Sequence, residues 1–194
     1  MGLAQTDVSS VDSDFLTEVK ANVSIHSTNT DHDTELTDIA LAAITILERA
    51  CRRQFTTRAV VWWLDAFPDV DCLEVPLPPM TILTSIEYYD VNDSLQTWSS
   101  ANYLSDLVSQ PGRIAPISSQ SWPSTYDREN AVKITYSAGY GSEPNDYPAP
   151  IKQAIKLTVR AWFEETTPQG DIPSGALALI DGYKSGRFSQ FLHV

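Results

Sequence analysis

Hydrophobic positions along this chain keep two different periods, and the switches between them divide it into three stretches. Leu36, Ile39, Ala40, Ala43, Leu47, Ala50 and Cys51 recur at intervals of three and four, one continuous face of an α-helix. Ahead of it, Asp12-Ser-Asp-Phe15-Leu16-Thr-Glu-Val19 places acids in a first turn and apolar residues at helical spacing, which predicts a shorter helix to about Asn22. Residues 24–33 lose apolar periodicity after Ile25 and read as a loop, with Thr30 or Asp31 positioned to cap the long helix.

From Phe55 the period drops to two. Thr56 to Leu64 is rich in β-branched and aromatic residues, with Val60, Trp62 and Leu64 facing one way, Val61 and Trp63 the other, and both faces expected to be covered. Residues 72–75 predict a second strand ended by Pro76-Leu-Pro78-Pro79, and Ile82–Tyr89 with Leu95–Trp98 predicts a hairpin turning at Asn92-Asp93. Shorter strands are expected near Tyr103-Leu104, Arg113-Ile114 and Val132–Tyr136, with residues 115–130 a long excursion. The helical period returns after Pro148: Ile151, Ala154, Ile155, Val159 and Trp162 form an apolar face, Thr167-Pro-Gln-Gly breaks it, and Ser174 to Lys184 predicts a last short helix.

N-terminal helices, a β-rich middle built of a hairpin and a small antiparallel sheet, and C-terminal helices, without internal repeats, predict an α+β fold. The expected organisation is a single domain over 1–194, helical at 12–55, β-rich at 56–141, helical at 148–185, with a tail at 186–194. Its 194 residues, 42% hydrophobic and 20% charged, suffice for a core without staples. The uncharged run Ile39–Leu47 is far shorter than the about 20 residues of a membrane span. Cys51 and Cys72 fit no disulfide framework or metal spacing and read as free thiols.

Charge changes the picture. A net charge of −12 disfavours any protein that grips phosphate backbones. It is also polarised: residues 1–50 hold nine acids and two bases, whereas residues 151–194 hold four acids and five bases. Two unlike poles favour asymmetric contacts with neighbours.

Candidate chemistry is sparse. His26, His32 and His193 fall in polar loops or the terminus at no ligating spacing. Asp31-His-Asp33-Thr-Glu35 lacks the glycine and closing glutamate of a calcium loop and reads as helix capping. Gly139-Tyr-Gly141 follows no βαβ unit and reads as a strand-to-helix turn, so no cofactor is implied. Asp65, Asp69, Asp71 and Glu74 read as solvated turn acids, and no catalytic constellation emerges. Trp62, Trp63, Trp98, Trp122 and Trp162 fit core and interface packing; a carbohydrate- or protein-binding β module is the alternative they leave open. Lys152, Lys156 and Arg160 form a basic stripe at four-residue spacing, either a solvated face or a surface that meets the acidic half of another copy. Phe188, Phe191 and Leu192 in the tail either fold back or anchor into a partner's groove.

The ordered series Glu48-Arg-Ala-Cys-Arg-Arg-Gln-Phe55, Leu64-Asp-Ala-Phe67-Pro68, Leu73-Glu-Val-Pro76-Leu-Pro78-Pro79 and Ile82-Leu-Thr-Ser-Ile86-Glu-Tyr88 resembles the head–tail connector (adaptor, or head completion) proteins of tailed bacteriophages. Pro111-Gly-Arg113-Ile114, Trp122-Pro123, Asn130 to Gly141, Pro150-Ile151-Lys152-Gln-Ala154-Ile155 and Ala178 to Tyr183 continue it in the same order, so that it spans roughly 12–185. The resemblance implies a non-enzymatic structural protein of the virion neck: a homo-oligomeric ring of about twelve copies below the portal protein that extends the DNA channel and docks the next neck or tail-completion protein. DNA would pass through without sequence-specific binding, during packaging and ejection. Terminal segments in such families commonly insert into the portal, which would make Arg187, Phe188, Phe191, Leu192 and Val194 the portal contact. Because an acidic wall repels phosphate, Asp31, Asp33, Glu35 and Asp38 are expected to line the channel, and Lys152, Lys156 and Arg160 to lie between subunits.

Overall fold

The computed structural model describes residues 2–5 and 10–186. Along the chain these form β1 (Gly2–Gln5), α1 (Ser13–Asn22), α2 (Asp33–Cys51), β2 (Arg58–Leu64), β3 (Leu73–Glu74), β4 (Met80–Tyr89), β5 (Leu95–Thr97), β6 (Tyr103–Asp106), β7 (Arg113–Pro116), β8 (Val132–Ala138), α3 (Ala149–Phe163) and α4 (Ser174–Ile180), with short 3-10 turns at Ser100–Asn102, Pro144–Asp146 and Asp181–Tyr183. The fold is α+β, and it divides into two compact units.

One unit is helical and joins the two ends of the sequence reading: α1 and α2 with α3 and α4. Asp12 caps α1 by accepting from the Phe15 amide, and Phe15 and Val19 are buried. The α2 face read from the sequence is buried, with Leu36, Ala40, Ala43, Leu47 and Cys51 fully so and Ile44 joining them, against Ile151, Ala154, Ile155, Val159 and Trp162 of α3. Burial of each such large aliphatic side chain is worth about 1.5–3 kcal/mol, which fixes the pair of helices. Neither Thr30 nor Asp31 caps α2. His32 occupies that position with no side-chain cap bond, because Asp33 is drawn to the buried Lys20 ammonium at the end of α1. The helix stops at Arg52, whose left-handed backbone (φ 51°) lets its amide and the next close on the Arg49 and Glu48 carbonyls. The predicted final helix ends earlier than Lys184, tightening to 3-10 at Asp181–Tyr183.

The other unit holds two antiparallel sheets, ordered β1-β2-β8-β4-β5 and β3-β7-β6. In the first, Trp62 of β2 faces Ile134 of β8, which faces Ile86 of β4, and all three are fully buried. The opposite pleat is only half covered: Trp63 pairs Lys133, which pairs Glu87, and the Lys133 ammonium bridges the Glu87 carboxylate at 2.8 Å while lying 5.6 Å from the Trp63 ring. Gly2–Gln5 was not foreseen as a strand; it adds to the β2 edge, with Leu3 opposite Trp62 and Ala4 opposite Val61. The predicted hairpin forms as β4 and β5, its turn held by the Asp90 carboxylate accepting from the Asn92 and Ser94 amides.

Candidate functional site

Each sequence-derived candidate within the described residues has a definite environment. Trp98 packs with Phe67, Tyr103 and Trp122 at ring centroid distances of 5.1–5.9 Å counting the Phe67–Trp122 stack, and the Trp122 indole donates to the Val70 carbonyl at 2.6 Å. Trp62 and Trp162 are likewise buried, and the Trp162 indole donates to the Asp171 carbonyl at 2.8 Å. Trp62, Trp98, Trp122 and Trp162 are therefore spent on packing within their units, whereas Trp63 stays half-buried and lines an open groove with Tyr89 and Arg128. Asp65 accepts from the Asn130 amide at 2.9 Å, which holds its carboxyl below the usual range as a turn residue would be. Gly141 sits where a Cβ would collide with the Asp146 side chain, so Gly139-Tyr-Gly141 is a tight turn whose second glycine makes room for a cap. Among the described residues no group of three His, Cys, Asp or Glu side chains converges as a metal site.

The charged residues of the helical unit form a more organised pattern. Glu18 of α1 receives Lys152 at 3.2 Å and Lys156 at 3.0 Å, and its carboxyl is held below the ordinary value chiefly by the Lys156 hydrogen bond. Arg160 pairs Glu164 at 3.0 Å on its own helix. The basic stripe is thus in contact with acids of its own chain, Lys152 and Lys156 clamping α1 to α3.

The four acids of the α2 start separate in role. Asp33 pairs Lys20, and Glu35 pairs His32 at 2.9 Å, whose ring meets Phe163 edge-on. Asp31 and Asp38 are exposed. Asp31, Glu35 and Asp38 rim a groove of about 540 Å³ floored by Ile39, Ala42 and Trp162. The C-terminal end of α2 carries a feature the periodicity hid. Glu48 lies on the buried face and accepts from the Phe55 amide at 2.7 Å, the Thr56 amide at 3.2 Å and the Gln54 side chain at 3.3 Å. Arg53 donates to the Tyr183 carbonyl at 2.8 Å and the Tyr140 hydroxyl at 2.9 Å. The Glu48-to-Phe55 motif is accordingly a folded knot that ends the helix. Its signal was an acid placed on an otherwise apolar helical face. Arg187, Phe188, Phe191, Leu192 and Val194 lie outside the described residues.

No family model matches the sequence, and no curated protein does. Solved structures do. A chain of the neck of an empty gene transfer agent particle, computed with C6 symmetry, superposes with a TM-score of 0.75 at 20% identity, covering 96% of this chain and 97% of that one. This chain has the fold of a gene transfer agent neck chain. A chain of the native gene transfer agent virion gives 0.76 at 20% identity, with 96% and 97% coverage. One from the native neck computed with C12 symmetry gives 0.69 at 21% identity, with 95% and 96% coverage. The likeness is one of fold, and it takes in both units and nearly the full length of each chain.

Proposed function

We propose that this protein is a structural subunit of a virion neck, a head–tail connector that forms a ring beneath the portal, continues the DNA channel and docks the next neck or tail-completion protein. The observation that carries this reading is near-complete superposition on chains from neck structures computed with C6 and C12 symmetry, a setting in which identical copies surround an axis. The net charge of −12 supports it, since a conduit must not hold the DNA that slides through it. No helix among the described residues is long and apolar enough to cross a membrane. The role is architectural, and no reaction is assigned to it.

In this ring of about twelve copies, the tail residues Arg187, Phe188, Phe191, Leu192 and Val194 are assigned to the portal. Arg160 stays within reach of a neighbour, whereas Lys152 and Lys156 act within the subunit through Glu18. Of the acids proposed for the channel, Asp31 and Asp38 are the exposed ones without an ion pair to a described residue, and their groove has an apolar floor. Deleting the gene tests the role: the expected outcome is DNA-filled heads without tails, restored by the gene in trans. Fully tailed, infectious particles lacking the protein would overturn it.

A further inference from the structure

Among the described residues, the outward face of α2 is an unpartnered stripe. Thr34, Asp38, Ala42, Thr45 and Arg49 follow one another at helical spacing, all exposed, and Arg52 extends the line past the last turn. Its ends carry opposite charge. At the N-terminal end lies the groove rimmed by Asp31, Glu35 and Asp38, with Trp162 at its floor. At the C-terminal end stand Arg49 and Arg52. These are the cations among the described residues whose side chains make no ion pair or hydrogen bond to another described residue. Asp38 and Arg49 are eleven residues apart, about 16 Å along the axis at about 1.5 Å per residue, so the two patches cannot pair with each other within one copy.

We infer that the acidic groove at the start of α2 receives Arg49 and Arg52 from a second copy of this chain, which puts Asp31, Glu35 and Asp38 between subunits in place of the channel wall. The inference rests on the ring reading and specifies which surfaces close it. Two unlike patches at opposite ends of one rigid helix make a heterologous contact, the type that propagates around a rotation axis. The pairing is directional. An arginine guanidinium suits it, because its planar fork can bridge two carboxylates while its stem covers the indole and alanine of the floor. Long-range attraction between the ends would also speed encounter and weaken with salt.

Charge exchange tests this in the full chain by sedimentation and negative-stain imaging. The variant Glu35→Lys/Asp38→Lys makes both ends basic, and Arg49→Glu/Arg52→Glu makes both acidic. Each alone is expected to lose rings, with the association constant of a single contact falling at least about tenfold, the equivalent of about 1.4 kcal/mol per contact. Mixed in equal amounts, the two are expected to recover rings in which they alternate. That recovery also shows that each variant is folded. If the wild-type chain forms rings and the separate variants do so equally well, the contact is overturned while the ring reading stands. If the mixture yields dimers in place of rings, the head-to-tail arrangement is overturned. A wild-type chain that stays monomeric at every concentration, with and without portal protein, overturns both.

Discussion

Glu48 illustrates how a single polar residue on an apolar face can terminate an element and launch the next. The residue is 7% exposed, and its carboxylate satisfies the amides of Phe55 and Thr56, which have no helical or strand partner there. Glu48→Ala leaves those buried donors unpaired and is expected to cost about 3 kcal/mol in chemical denaturation; Glu48→Gln, which keeps an acceptor, should cost less. Equal losses from the two variants would show that the carboxylate's hydrogen bonds are not what matters. A second residue-scale prediction concerns the thiols. Burial pushes the Cys51 thiol up to about 11, while Cys72 is only partly covered. In the native protein at about pH 8, a thiol reagent should modify Cys72 first and Cys51 only on unfolding, because thiolate and access are both required. Peptide mapping of the labelled protein decides the order.

Between elements, the clamp of Glu18 on Lys152 and Lys156 ties α1 to α3. The Glu18 carboxyl is held below its ordinary value of 4.5 in the folded chain, so its contribution is fully present above that value and is lost as pH falls through the folded one. Because the carboxylate is well exposed, Glu18→Gln should cost no more than about 1 kcal/mol near neutrality. The gap between wild type and variant should shrink as pH falls below 4.5 and close once it has passed the lowered folded value, measured by denaturant titration at a series of pH values. A gap independent of pH would point to packing instead. The large elements were legible because burial enforces their period: every apolar position read for α2 lies on its inner face, Ala50 half-covered, and the β2–β8 alternation survives in the register Val60–Tyr136, Trp62–Ile134 and Leu64–Val132. Strand β1 was not legible, since four residues with two apolar positions carry no periodicity and its partner is more than fifty residues away. Nor was the α2 cap, because the Lys20–Asp33 pair joins residues on two helices. The candidate site was half legible: the acids at the start of α2 stood out by composition, but that they rim a groove beside Trp162 depends on α3 packing.

For the whole molecule, the sequence charge of −12 and its drift from an acidic first quarter to a slightly basic last one excluded a protein that grips DNA. The folded chain sharpens that statement. Many of the bases are paired with acids of the same chain, among them Glu18, Asp106, Asp93 and Glu87, which leaves the net negative charge on acids without such partners. Raising salt should therefore not release bound DNA from the isolated protein, because none is held; electrophoretic mobility of a DNA fragment at low salt should be unchanged by micromolar protein. The fold shared with gene transfer agent neck chains gives that acidic surface a setting. The central claim is that copies of this chain close around an axis, and it is tested most directly by negative-stain imaging of the purified protein, alone and with portal protein. The account predicts rings with an open centre and about twelvefold symmetry, stacked coaxially on the portal. Dispersed monomers in both samples would contradict it.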